Sequence, residues 1–121
     1  MQYSSKTCDV VIKNDQYLHV YFKKGTTQEY DELVAIYELL KRESTHLPIL
    51  YDISLIDGMD YDAMDFSLKE WSGFEQIPMA VLFGKDTISE KYAMMILNTQ
   101  RVRPSLKFFN NIKEAEAWLI T

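Results

Sequence analysis

The chain has 121 residues, 47% of them hydrophobic, and a formal charge of −5 from 13 basic and 18 acidic side chains. This length supports one domain around one core, the apolar content is too high for a disordered chain, and no apolar run nears the roughly 20 residues of a membrane helix. The acid excess repels phosphate backbones and argues against nucleic acid, while a lone Cys8 and an N-terminus (MQYSSKTCDV) without an apolar leader make the cytoplasm the expected compartment.

In chain order, CDVVIKNDQYLHVYFKKG reads as two strands around a turn at Asn14-Asp15. Leu18, Val20 and Phe22 alternate with Tyr17, His19 and Tyr21, the period of a strand. Thr26-Thr27-Gln28-Glu29 has the form of a capping box, which predicts a helix start there. Tyr30, Leu33, Val34, Tyr37 and Leu40 then lay an apolar stripe along it, with Lys41 and Arg42 at the C-terminal end. Pro48 opens a short buried strand, ILYDI, and a second helix is expected from about Tyr61 to Trp71, with Asp60 as N-cap and Gly73 as its stop.

MAVLF, residues 79–83, is the most apolar run and predicts a fully buried strand between Pro78 and Gly84. DTISEKYAMMILNTQ predicts a third helix with Ile88, Tyr92, Met95, Ile96 and Thr99 on one face. Pro104 precedes a last strand, LKFF, and Asn111 caps a final helix that turns Ile112, Ala115, Trp118 and Leu119 inward. The predicted order is β-β-α-β-α-β-α-β-α. It implies an α/β domain spanning residues 1–121, with an antiparallel hairpin followed by parallel βα units, about five strands and four helices in all. In such sheets ligands gather beyond the carboxyl ends of the strands, and Asp52 stands at one of these ends.

The acidic stretch ILYDISLIDGMDYDAM carries Asp52, Asp57, Asp60 and Asp62. It does not fit a calcium loop, because the position that needs a bidentate Glu is Leu68 counting from Asp57 and Trp71 counting from Asp60. Nor does it fit a phosphoacceptor receiver domain. There is no acidic pair at the end of a first strand, and LKFFNN ends in asparagines where such domains need a lysine after the last strand to steady a phosphoryl group. A purely structural account covers most of the stretch: Asp60 caps a helix, Asp62 and Asp65 suit its positive end, and Asp57-Gly58 is a turn. Asp52 fits that account least well, since a carboxylate ending a buried strand needs hydrogen-bond partners, which the following loop amides can supply.

The stretch resembles the STAS and SpoIIAA-like domains, the anti-sigma-factor antagonists and their relatives. Asp52-Ile53-Ser54 matches their strand end, and Asp60-Tyr61-Asp62-Ala63 stands where they carry Asp-Ser-Ser-Gly. The element order matches over nearly the whole chain. The tail RPSLKFFNNIKEAEAWLI is most similar to an uncharacterised branch of SpoIIAA-like proteins from Bacteroidetes-type genomes. The resemblance implies a non-enzymatic regulatory or protein-interaction module, with an anti-sigma-factor-like kinase as the class of partner. Tyr61 occupies the position of the phosphorylated serine, so the serine phosphoswitch does not carry over. Asp52, Ser54, Asp57, Asp60, Tyr61 and Asp62 are the expected partner- or ligand-facing residues.

Elsewhere, Tyr17, His19 and Tyr21 form a row suited to a homodimer contact, with rigid rings and polar tips. No motif places a histidine beside Ser54, so no catalytic residue is assigned, although a meeting of His19, Asp52 and Ser54 within hydrogen-bond reach would reopen that question. Cys8 reads as an inert strand residue, Arg101, Arg103 and Lys107 as a solvated basic loop, and Gly84-Lys85-Asp86 lacks a phosphate-loop pattern. No metal, cofactor or internal repeat is expected. The methionines at 59, 64, 79, 94 and 95 favour core packing. They also keep open a second function, a carrier or sensor of a small apolar ligand or lipid in a helix-lined pocket.

Overall fold

A computed structural model describes residues 2–42, 47–70, 76–99 and 105–121, with side chains omitted at residues 2, 67–70 and 99. Trp71, Gly73, Arg101, Arg103 and Pro104, singled out above, lie outside the described residues, as does His46, the second histidine.

The chain begins with a short edge strand, β1 (Gln2–Ser4), that the sequence reading did not anticipate. The expected hairpin follows as β2 (Cys8–Lys13) and β3 (Tyr17–Phe22), paired antiparallel from Cys8↔Phe22 to Lys13↔Tyr17. Asn14 and Asp15 both take the left-handed conformation, at φ 51° and 57°, which Asn and Asp tolerate better than other side-chain-bearing residues. That conformation matches the twist of a tight hairpin, and the Gln16 amide donates back to the Lys13 carbonyl at 2.8 Å.

After β3 comes β4 (Thr27–Gln28), then α1 (Tyr30–Arg42), β5 (Ile49–Asp52), β6 (Gly58–Met59) and α2 (Tyr61–Glu70). β7 (Met79–Leu82), α3 (Ile88–Thr99), β8 (Leu106–Phe109) and α4 (Ile112–Leu119) complete the described chain. The main sheet has six strands in the order β1-β2-β3-β5-β7-β8, antiparallel across the hairpin and parallel from β3 onward. β4 and β6 form a separate parallel pair, Thr27↔Gly58 and Gln28↔Met59. This pairing corrects the expected start of α1. Thr27 and Gln28 are drawn into a strand, so the helix begins at Tyr30, and the Thr26 hydroxyl donates to the Lys23 carbonyl at 2.7 Å instead of capping it.

Two apolar layers flank the sheet. On one face, Val10, Val20, Phe22, Ile49, Tyr51 and Val81 pack against Leu33, Ile36, Tyr37 and Leu40 of α1, Ala63 of α2 and Ala93 of α3. On the other face, Tyr17, Leu50, Ala80 and Leu82 pack against Ala115 and Leu119 of α4, with Trp118 of α4 and Phe109 of β8 at the margin. Each fully buried aliphatic side chain contributes roughly 1.5–3 kcal/mol, so the larger first layer carries most of the burial energy. The buried face of α3 is Ser89 and Ala93, while Ile88 and Met95 are exposed, a rotation from the expected stripe. Ser89 turns inward to bond Gly84 N and Ser54 O in the turns after β7 and β5, and α3 otherwise packs on α2 and β6. Ile112 is also exposed rather than inward, although Asn111 caps α4 as expected by accepting from the Glu114 amide at 3.1 Å.

Candidate functional site

The site is built from the carboxyl end of β5 outward. Tyr21, Asp52 and Leu82 are in register across β3, β5 and β7, and His19 lies opposite Leu50 on the same side of the sheet. His19 therefore reaches diagonally to Asp52, and its Nε2 sits 3.0 Å from Oδ2. The other carboxylate oxygen, Oδ1, accepts from the Ser54 hydroxyl at 2.6 Å and the Ser54 amide at 3.1 Å. The three residues named as the test for catalysis do converge.

Their connectivity decides what they can do. A serine nucleophile must hand its proton to an imidazole whose far nitrogen is oriented by a carboxylate. Here the carboxylate is the centre, flanked by hydroxyl and imidazole on separate oxygens. Ser54 donates into a weak base, and the imidazole is spent on the same carboxylate. Such an arrangement satisfies a buried charge and joins β3, β5 and the following loop. It does not activate a nucleophile.

Asp52 is only 4% exposed, which corrects the expectation that it emerges at the rim. A carboxylate this buried needs its bonds, and one of them comes from the loop amide that the sequence reading invoked. Asp52 and Ser54 are thus supports for the surface beyond them.

That surface is the loop from Leu55 to Asp62. Ile53 and Ile56 are buried anchors, while Leu55 is 41% exposed between them. Backbone hydrogen bonds hold the loop to the β4 segment: Gly25 N to Leu55 O at 3.0 Å, Asp57 N to Thr26 O at 2.8 Å and Asp60 N to Gln28 O at 3.0 Å. From the third side the Ser89 hydroxyl donates to the Ser54 carbonyl at 3.3 Å and accepts from the Gly84 amide at 2.8 Å. A Cβ on Gly84 would lie 2.8 Å from that same carbonyl, so only glycine allows this approach. Asp60 caps α2 as expected, its Oδ1 accepting from the Ala63 amide at 2.7 Å. Asp57, Asp60, Tyr61 and Asp62 are all exposed, and Tyr61, at 84%, is the most open large apolar side chain described.

The expected Tyr17-His19-Tyr21 row divides. Tyr17 is buried beneath α4, with its hydroxyl donating to Glu116 at 2.7 Å, and so does not share an open surface. Burial, reinforced by Glu116, pushes its phenol up to about 12. His19 and Tyr21 are half-buried, their rings edge to face at 5.8 Å. On their side of the sheet α4 packs chiefly on β5, β7 and β8 and meets β3 at Tyr17, short of the half-buried His19 and Tyr21. Cys8 is fully buried, and burial with nearby Glu32 and Asp9 pushes its thiol up to about 12, consistent with an inert strand residue. Among the described residues no group of three or more His, Cys, Asp or Glu side chains is placed to hold a metal ion, and no helix is long and apolar enough to cross a membrane.

Sequence reasoning missed the β4–β6 pair, the Ser89 brace and the exposure of Leu55. A two-residue strand leaves no periodicity to detect. A signal was present nonetheless: Glu29-Tyr30-Asp31 and Asp60-Tyr61-Asp62 repeat the same chemistry directly after β4 and β6.

A family model described as a domain of unknown function, DUF7793, matches residues 10–121. The chain belongs to the DUF7793 family. In structure, this DUF7793 domain is similar to the crystal structure of an uncharacterized DUF3478-family protein with a SpoIIAA-like fold from Shewanella loihica PV-4. The TM-score is 0.57 and the identity 21%, over 97% of this chain and 98% of that one. The domain therefore has a SpoIIAA-like fold, as its strand-end and tail residues suggested. At this identity the likeness is one of fold. No curated protein matches the chain.

Proposed function

We propose that this DUF7793 domain is a non-enzymatic regulatory or protein-interaction module whose working surface is the 55–62 rim. The supporting observation is the contrast within that loop. Its backbone is fixed by hydrogen bonds to the 25–28 segment and, at its start on Ser54, to Ser89, while Leu55, Asp57, Tyr61 and Asp62 project into solvent. A rigid backbone with exposed aromatic and charged tips binds without a large ordering cost. The Asp52 cluster beneath it is structural, and no nucleophile, base and oxyanion donor come together there. Tyr61 in place of a serine argues for constitutive binding without a serine phosphoswitch. Action in the cytoplasm is part of this reading, as a lone reduced cysteine requires no oxidising compartment.

The first partner class to try is a kinase-like anti-sigma factor. The wild-type chain and an Asp57→Arg/Asp62→Arg variant are immobilised, and the proteins retained from a bacterial extract are quantified by mass spectrometry. Asp60 is left intact because it caps α2. A partner held by wild type and lost from the variant is the expected result; identical profiles would remove the rim from consideration.

The open side of β1–β3 favours a homodimer as a second element of the reading. His19 and Tyr21 supply half-buried rings there, and Asp9 and Lys13 supply charges of both signs. Light scattering is expected to show a dimer that Tyr21→Ala weakens; a wild-type monomer at high micromolar concentration would end this part. The apolar-ligand carrier has less support. The layer between α1–α3 and the sheet is filled by packed side chains, and the cleft described below is lined by acids and hydroxyls.

A further inference from the structure

β4 and β6 are parallel neighbours, and each runs directly into a helix. The residues that follow are Glu29-Tyr30-Asp31 at the start of α1 and Asp60-Tyr61-Asp62 at the start of α2. Paired strands lie about 4.8 Å apart, so the register Gln28↔Met59 sets the two acid–tyrosine–acid triplets side by side. All six residues are exposed, Tyr30 at 43% and Tyr61 at 84%. Tyr30 is held in place by an edge-to-face contact with Phe66 at 5.7 Å.

The Glu29–Asp31 side of this patch opens into a cleft of about 320 Å³. Its walls carry the carboxylates of Glu29, Asp31 and Glu32, the hydroxyl-bearing residues Ser5, Thr7 and Thr27, and one cation, Lys6. Glu32 is already oriented, with Oε1 accepting from Ser5 Oγ at 2.6 Å and Thr7 Oγ1 at 2.7 Å, and Oε2 from the Tyr3 hydroxyl at 3.3 Å. The cleft carboxylates outnumber its ammonium by 3 − 1 = 2, more than enough to offset the partial positive charge of about half a unit at one helix end. Tyrosine faces beside carboxylates suit a planar guanidinium, which stacks on rings and bonds to acids at once.

We propose that the twin acid–tyrosine–acid entries of α1 and α2, with the adjoining cleft, are a docking surface for an arginine-rich segment of a partner protein. This deepens the interaction-module reading and rests on it only for the existence of such a partner; the recognition chemistry is testable alone. Nucleic acid and anionic membranes are repelled by the same charges.

The probe is fluorescein-labelled octa-arginine, titrated with the intact chain by fluorescence anisotropy at low and physiological salt. Wild type is expected to bind at both. The patch variant Glu29→Gln/Asp31→Asn/Asp62→Asn is expected to bind about 10-fold more weakly or worse. A control of equal net charge, Glu38→Gln/Asp86→Asn/Glu114→Gln, is expected to stay within about 2-fold of wild type. Tyr61→Ser is expected to weaken binding by about 2- to 5-fold even at the higher salt, the size of an exposed cation–π contact. Circular dichroism confirms folding of each variant. No binding by wild type, or equal losses in patch and control variants, overturns the proposal. A native partner that the patch variant still captures would also overturn it while leaving the interaction-module reading intact.

Discussion

Removing the Asp52 carboxylate tests whether it is a structural clamp. The group is 4% exposed and receives three hydrogen bonds, from Ser54 N, Ser54 Oγ and His19 Nε2. Asp52→Ala leaves all three donors without an acceptor in a space too buried for free hydration. A buried donor deprived of its partner costs about 1–3 kcal/mol, and losing one member of a buried charged cluster costs about 3–5 kcal/mol in total. Asp52→Ala should therefore lower the unfolding free energy by about 3–4 kcal/mol, a large share of the roughly 5–15 kcal/mol typical of a domain. Asp52→Asn keeps Oδ1 for Ser54 and places an amide opposite His19, whose neutral ring can accept there, so its cost should be about 1 kcal/mol. Urea unfolding followed by circular dichroism measures both. A cycle adding Ser54→Ala should give a coupling of about 1–3 kcal/mol, because the two residues share two of the three bonds. A cost below about 1 kcal/mol for Asp52→Ala, or strict additivity with Ser54→Ala, would refute the clamp and return Asp52 to the list of functional candidates.

Gly84→Ala drives a Cβ to 2.8 Å from the Ser54 carbonyl and 2.9 Å from Thr87 Oγ1, so it should cost about 1–3 kcal/mol and lower the melting temperature by calorimetry; an unchanged melting temperature would mean the two turns are not pressed together. Cys8, fully buried and with its thiol pushed up to about 12, should resist Ellman's reagent at pH 8 in the native state and react fully in urea, and rapid native labelling would contradict the packing of β2. The Tyr17 phenol is raised from its ordinary 10.0 to about 12, so its neutral form is favoured by the fold. The resulting stability is complete below pH 10.0 and is lost as the pH rises through about 12. Tyr17→Phe should lose stability less steeply across that window in alkaline unfolding curves, and parallel curves would show that Tyr17 is not the group responsible.

The main fold was legible where local pattern and burial agree. The hairpin announced itself through strict alternation in Tyr17–Phe22, and β5 and β7 through short apolar runs bounded by turn residues. Asp60 and Asn111 were visible as caps because an N-cap works within three residues. What stayed hidden depends on partners distant in the chain. Thr26-Thr27-Gln28-Glu29 satisfies the capping-box pattern, but pairing with Gly58-Met59 takes two of its residues into a strand. β1 is three residues long and exists because β2 offers it an edge. The face of α3 was misjudged because hydrophobicity favoured Ile88 and Met95, whereas the inward positions are Ala93 and Ser89, whose hydroxyl bonds the turns at Gly84 and Ser54. Tyr17 looked equivalent to His19 and Tyr21 on alternation alone, and only α4, nearly a hundred residues later, separates them. For the candidate site, sequence placed Asp57, Tyr61 and Asp62 in the exposed stretch after β5 but could not tell that Asp52 turns inward to His19.

The position of Asp52 gives the two exposed surfaces a shared foundation. One carboxylate oxygen holds His19, at the margin of the sheet face that α4 leaves uncovered, and the other holds Ser54, where the rim loop begins. α4 has eight residues and lies chiefly over the β5–β8 half of that face, reaching β3 only at its Tyr17 end, so the openness of the hairpin half follows from helix length. The rim owes its rigidity to β4, which exists only because α1 starts late, and the same delay sets the two tyrosine-bearing helix entries side by side. A longer α1 beginning at Thr27 would remove the β4–β6 pair, release the loop from Gly25, Thr26 and Gln28, and separate Tyr30 from Tyr61. The departure from the expected capping box is thus the feature on which the exposed rim and the paired helix entries are built.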